Sequence, residues 1–245
     1  MLVLRSLLFN VFGFSSIILF AIVLLLTFWA PYRWHWFLCV TWCRLALLGA
    51  RVICGINIVV EGEENVPEVP SVIMIKHTST LETLWQVVYF PQTTWVLKRE
   101  ILYAPIFGWA IGIGLKPIAI NRSAGGAAVR QVIRQGTQKL RDGIWVTIFP
   151  EGTRMAPGQT RKYGVSGAAL ARNAEAPIVP VAHNAGDIWQ RRSFVKRPGT
   201  VRFVIGPTVD ATGREPKETN LEVQGWIEGT MHEISRVYQE TATSV

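Results

Sequence analysis

Residues 71–98 read SVIMIKHTSTLETLWQVVYFPQTTWVLK. A short apolar run, SVIMIK, gives way to a helix-length segment over about Thr80 to Phe90, and a second run, TTWVLK, opens just after Pro91. Strands that alternate with helices imply a mainly parallel or mixed sheet covered by helices. The first run breaks on Lys76 and His77, and the carboxylate of Glu82 follows five positions after that histidine.

The same grammar continues on both sides. INIVVEG (56–62), LKPIAIN (115–121), GIWVTIFP (143–150), APIVPVA (176–182) and TVRFVIG (200–206) are short β-branched runs bounded by Gly, Pro or charge. Helix-length segments lie at about Pro105 to Ile113, Gly125 to Arg141 and Val165 to Asn173, and a final helix is expected over about Asn220 to Gln239. With 245 residues and 49% hydrophobic content, the chain is large enough for one substantial core and too apolar for disorder as its main state.

The amino-terminal part is of another kind. No Asp or Glu occurs before Glu61, and no charged side chain lies between Ser6 and Tyr32. The stretch from Val11 to Ala30 is long enough to cross or deeply enter a hydrocarbon layer. A cleaved secretory signal fits poorly, because the run ends in Thr27, Phe28, Trp29, Ala30, Pro31 and lacks a small-residue cleavage site. Next, Trp34, Trp36 and Trp42 interleave with Arg33, Arg44 and Arg51, which suits an interfacial helix better than a second clean span. The division expected is residues 1–54 as membrane-anchoring helices and 55–245 as the second domain. The Arg residues after the apolar run favour the cytoplasmic side for that domain.

The remaining composition mainly excludes. Cys39, Cys43 and Cys54 form no disulfide framework, and the Cys39 and Cys43 spacing lacks a second ligand pair for zinc. The net charge of +8 comes with no nucleic-acid motif, so anionic lipid is the simpler partner. A His-Glu-x-x-His zinc site and a GxxxxGK[ST] loop are absent, GVSGA (164–168) ends in Ala168 where a nucleophile elbow needs Gly, and GWAIGIG (108–114) has the wrong spacing for a dinucleotide. Those glycines suit close packing instead.

Functional groups in α/β sheets gather beyond the carboxyl ends of strands. Lys76 and His77 follow SVIMI, Lys98 and Arg99 follow TTWVL, Arg122 follows PIAIN, and Glu151 to Arg154 follow WVTIFP. Taken singly, each cation reads as a solvated surface charge; together they bring a histidine, a carboxylate and several cations to one rim. Five positions on a regular helix separate two side chains by about 140°, so His77 and Glu82 meet only if His77 precedes the helix and Thr78 or Ser79 caps it. The free ring nitrogen can then take a proton from a substrate hydroxyl. In FPEGTR (149–154), Pro150 and Gly152 impose a tight turn, and Thr153, Arg154 and backbone amides can face an anion, with Arg122 and Lys98 adding charge.

These blocks, in this order, resemble the glycerolipid acyltransferase family, and within it the bacterial lysophosphatidic acid acyltransferases. The likeness runs from about Gly62 to Pro207: KHTSTLE against a His-x4-Asp block, LKRE with APIFG, PIAINR, FPEGTR almost letter for letter, RKYGVSGA against a Lys-x-Gly segment, and APIVPVA against a proline-bearing block. The resemblance implies an acyltransferase-like α/β fold and transfer of a fatty acyl group from acyl-CoA or acyl carrier protein to the sn-2 hydroxyl of lysophosphatidate. His77 would be the base and Glu82 its orienting partner, with no metal, cofactor or acyl-enzyme. Lys98, Arg122, Glu151, Gly152, Thr153 and Arg154 would bind the glycerol phosphate, and Pro180 would shape the acyl pocket or the turn beside it. Membrane lipids would be partners, and the setting a bacterial inner membrane.

Two departures stand out: Glu82 occupies a position where the family typically has Asp, and Lys76 one where Asn is frequent. They keep two other readings open, the same transfer to another lysophospholipid or lyso-aminolipid, and a non-catalytic lipid-binding membrane protein.

Overall fold

The computed structural model describes residues 1–243. In chain order the elements are α1 (Leu2–Leu26), α2 (Tyr32–Cys54), β1 (Ile56–Glu61), β2 (Val72–Ile75), α3 (Leu81–Tyr89), β3 (Thr93–Lys98), α4 (Phe107–Leu115), β4 (Ile118–Ile120), α5 (Gly126–Arg141), β5 (Trp145–Ile148), α6 (Ser166–Ala174), β6 (Ile178–His183), α7 (Ala185–Ile188), β7 (Gly199–Ile205), α8 (Pro216–Ile234) and α9 (Arg236–Thr243). The strands form one sheet in the order β1-β7-β6-β2-β5-β3-β4. Every pairing is parallel except β6 with β7, so the mixed, mainly parallel sheet expected from the sequence is what forms.

β2 lies at the centre, and Val72 to Ile75 are wholly buried. Successive side chains of a strand point to opposite faces, which splits the core in two. Val72 and Met74 join Val146, Leu170 and Ile227 beneath α5, α6 and α8. Ile73 and Ile75 join Phe9, Ala50, Trp85 and Phe203 beneath α1, α2 and α3. Removing a side chain such as Ile73 down to Ala would cost about 2–5 kcal/mol, since both sides of this sheet are close-packed.

α1 begins before the apolar run, and Ser6, in that added part, closes on the helix's own backbone by donating its Oγ–H to Leu2 O. The helix starts nine residues before that run and would reach about 38 Å at 1.5 Å per residue. Both helices are long and apolar enough to cross a membrane, with mean hydropathy 2.5 and 1.7 in their best windows. α2 is thus one continuous helix, ended by Gly55 in the left-handed region.

The hairpin also belongs to the fold at both ends. Ser6 Oγ accepts the Lys196 N–H at 3.0 Å and Asn10 Oδ1 accepts from Lys196 Nζ at 2.5 Å. At the other end, Tyr32 Oη donates to Leu115 O and Lys116 Nζ lies over the Tyr32 ring. Gly114 lets α4 approach: a Cβ there would come within 2.5 Å of Cys39 Sγ.

Two helices differ from the sequence reading. α4 starts and ends two residues late, and the expected last helix starts four residues early, at Pro216, and is two, broken at Ser235. The break has a cause: the Asp187 carboxylate accepts from Ser235 Oγ at 2.8 Å and from the Arg236 N–H at 2.9 Å, so the chain turns to satisfy it.

Candidate active site

The parallel run β2, β5, β3, β4 sets four carboxyl ends side by side, and the cations identified in the sequence follow those ends. His77 leaves β2 and stands four residues before α3, outside the helix as the spacing requires. Its Nδ1 lies 2.8 Å from Glu82 Oε1. An ionised carboxylate only accepts, so Nδ1 carries the proton and Nε2 keeps its lone pair.

The helix start is closed as the spacing requires, since Ser79 Oγ accepts the Leu81 N–H at 3.2 Å. Glu82, in the first turn of α3, adds to this by reaching back to accept the Thr78 N–H at 3.1 Å and the Ser79 N–H at 2.9 Å. One carboxylate oxygen thereby ties the ring to two donors at the amino end of a helix, where negative charge is favoured. The length of Glu82 is used for this, since the side chain must span both the turn and the ring.

Electrostatics agree with those roles. Burial opposes ionisation of Glu82, but His183, His77 and the Ser79 N–H outweigh it and hold the carboxyl below its usual range. Burial is also the main influence on His77 and lowers its pKa; Glu82 pulls the other way, and Arg154 and Arg122 add to the lowering. The imidazole is therefore neutral near pH 7, the form a general base needs. Its ring stacks on Phe149, 3.9 Å between centroids.

FPEGTR is drawn against this base by its backbone. The Met155 N–H donates to His77 O at 2.7 Å, and Gly152, with φ near +69°, makes the tight turn possible. Arg122 donates to Gly152 O, fastening the β4 end to the turn. His77, Arg122 and Arg154 together line a cavity of about 270 Å³. Its walls are apolar, supplied by Leu24 and Cys39 of the hairpin, Leu84 of α3, Trp95 of β3 and Ala110 of α4.

Three expected binding residues are placed differently. Glu151 faces inward: it is buried, Oε1 accepts the His77 N–H at 3.3 Å and sits 3.2 Å from Lys76 Nζ, so it holds the scaffold rather than facing the cavity. Burial pushes its pKa up to about 7 against the pull of Lys76. Lys98 turns outward and pairs with Glu100 at 3.5 Å, both half exposed. Pro180 lies inside β6 opposite Met74 and shapes the strand, not the cavity wall. Thr153 is exposed on the turn.

The sequence reading missed His183. Its Nδ1 accepts the Ala185 N–H at 3.2 Å, so Nε2 carries the proton and donates to Lys76 O at 2.7 Å, 3.9 Å from Glu82 Oε2. The available signal was a histidine ending the APIVPVA strand, as His77 ends its neighbour.

A family profile described as Acyltransferase matches residues 57–184. A 1-acyl-sn-glycerol-3-phosphate acyltransferase of Pseudomonas aeruginosa is 46% identical over 226 residues, covering 91% of this chain and 86% of that protein. The mouse 1-acyl-sn-glycerol-3-phosphate acyltransferase alpha is 28% identical, covering 82% and 70%. Among solved structures, the 1-acyl-sn-glycerophosphate (LPA) acyltransferase PlsC of Thermotoga maritima superposes with a TM-score of 0.76 at 20% identity, covering 95% of each chain; the fold is shared.

Proposed function

The chain belongs to the acyltransferase family, and we infer from this premise that it is a 1-acyl-sn-glycerol-3-phosphate acyltransferase, forming phosphatidate from lysophosphatidate. The observation that carries the reading to named residues is the His77–Glu82 pair opening on an apolar cavity between Arg122 and Arg154. An acceptor with a phosphate head and a greasy tail needs that combination.

In this reading Arg122 and Arg154 hold the phosphate, a job suited to planar, always-charged guanidinium groups. His77 Nε2 removes the proton of the sn-2 hydroxyl as its oxygen attacks the carbonyl carbon of the acyl thioester. The tetrahedral adduct collapses, the C–S bond breaks, and the departing thiolate takes the proton from the imidazolium. Glu82 stabilises that imidazolium and keeps the ring in one tautomer. Positioned acid–base chemistry of this kind contributes about 10²–10⁴-fold in rate. The donor is a thioester, acyl-CoA or acyl carrier protein.

We place the hairpin in the cytoplasmic leaflet of a bacterial inner membrane. Supporting this are Arg5 within α1 and Arg33, Arg44 and Arg51 within α2, the lack of acidic residues before Glu61, and the ties at both hairpin ends to Lys196 and Lys116, which favour lying along the domain over crossing the bilayer. Purified full-length protein in nanodiscs, given lysophosphatidate with each donor in turn, should form phosphatidate, and His77→Ala should abolish it. Turnover that survives His77→Ala would remove the base assignment. Equal turnover of acceptors without a phosphate monoester would remove the role given to Arg122 and Arg154.

A further inference from the structure

The backbone on either side of Lys76 is held at three points. Lys76 N–H donates to Val181 O at 3.1 Å, Lys76 O accepts from His183, and the His77 N–H donates to Glu151 Oε1. Because neighbouring residues leave a strand in opposite directions, His77 facing the cavity sends the Lys76 side chain into the protein. There it is wholly buried, a costly place for an ammonium unless it is paired.

Its nearest partner comes from far along the chain. Lys76 Nζ donates to Glu228 Oε1 at 2.7 Å, closer than Glu151 Oε1 at 3.2 Å. Tyr163 Oη donates to the same Glu228 oxygen at 2.6 Å, Tyr238 Oη lies 3.3 Å from Oε2, and the Lys76 ammonium sits over both phenol rings. Glu228 belongs to α8, outside the residues that match the family profile.

We propose that Glu228 is a positioning residue for the base: by taking the larger share of the Lys76 ammonium, it lets Glu151 Oε1 hold the His77 backbone N–H as well. Two carboxylates share one ammonium, and only Glu151 also bonds the His77 N–H. Without the Glu228 charge, Lys76 is drawn fully onto Glu151, and Oε1 leaves the peptide that carries the ring. Tyr163, Tyr238 and the Gln159 carbonyl, 3.4 Å from Lys76 Nζ, also surround the wholly buried ammonium. The inference rests on the acyltransferase reading for its kinetic consequence and on geometry alone for its structural one.

The test uses the full chain and Glu228→Gln, with Glu222→Gln, an exposed partner of Arg214 on the same helix, as control. Displacements near 1 Å at a base cost about 10²-fold, so kcat should fall about 10- to 100-fold in Glu228→Gln while KM for lysophosphatidate stays within about twofold. Amide exchange measured by mass spectrometry should speed up about tenfold or more over residues 76–80, with that of residues 199–205 in β7 unchanged. Glu228→Asp should recover part of both. Unchanged exchange over 76–80, or an equal rise in β7, would overturn the proposal, the second by showing simple loss of the scaffold. If the wild-type protein formed no phosphatidate, the functional reading would fail while the exchange comparison still decided this one.

Discussion

The ends of β2 and β3 each carry a lysine, Lys76 and Lys98, and the two could hardly be more different. At the end of β2 the charged groups are enclosed and paired: Lys76 between Glu151 and Glu228, His77 with Glu82, the backbone with Val181 and His183. At the end of β3, Lys98 lies half in solvent beside Glu100. The rule that functional groups gather at strand ends selects the rim but says nothing about which way a side chain turns there. Chemistry sits where the rim is enclosed, because burial is what tunes a histidine and makes a carboxylate a firm anchor.

That contrast predicts a ranking. The largest effect belongs to His77→Ala, which should lower phosphatidate formation by about 10²–10⁴-fold, the range that positioned acid–base groups contribute. Next, Lys76→Met leaves buried Glu151 and partly buried Glu228 without their cation and should destabilise the fold by about 3–5 kcal/mol, read from chemical denaturation. Arg154→Ala removes a charge-assisted phosphate contact of about 1.5–3 kcal/mol and should lower kcat/KM for lysophosphatidate about 10- to 100-fold, mainly through KM. Smallest is Lys98→Met: an exposed pair is worth about 0–1 kcal/mol, so stability and turnover should hardly move. A large loss at Lys98 would break the contrast, since it would give the open rim a part in binding.

Much of this was legible before any coordinates. The seven strands stand out because each is a β-branched run closed by Gly, Pro or charge, and the change of pattern at Gly55 coincides with the end of α2 for a local steric reason. The His77–Glu82 pairing was legible because five positions meet only across a helix start. What was not legible depends on distant partners. Glu228 lies 152 positions after Lys76, so no local pattern links them. The break at Ser235 depends on Asp187, 48 positions earlier. Glu151 sits inside the most recognisable motif of the chain yet turns inward, because the ammonium it answers to is behind the strand rather than in the cavity. Membrane affinity was read from charge-free length, whereas the ties of Ser6, Asn10 and Tyr32 to the domain needed the packed structure.

The central claim is that Glu82 makes His77 an effective base by binding its Nδ1–H and supporting its positive charge. Burial already lowers the His77 pKa, and Glu82 is the principal influence raising it. The base form is lost as pH falls through that pKa, so kcat/KM should show an acid limb below the ordinary histidine value of about 6.5. The most direct measurement is the pH profile of kcat/KM for wild type and Glu82→Gln in nanodiscs. With the charge removed and the amide in its place, the plateau should drop and the acid limb should move to still lower pH. An acid limb that stayed in place or moved upward, or an undiminished plateau, would contradict the account.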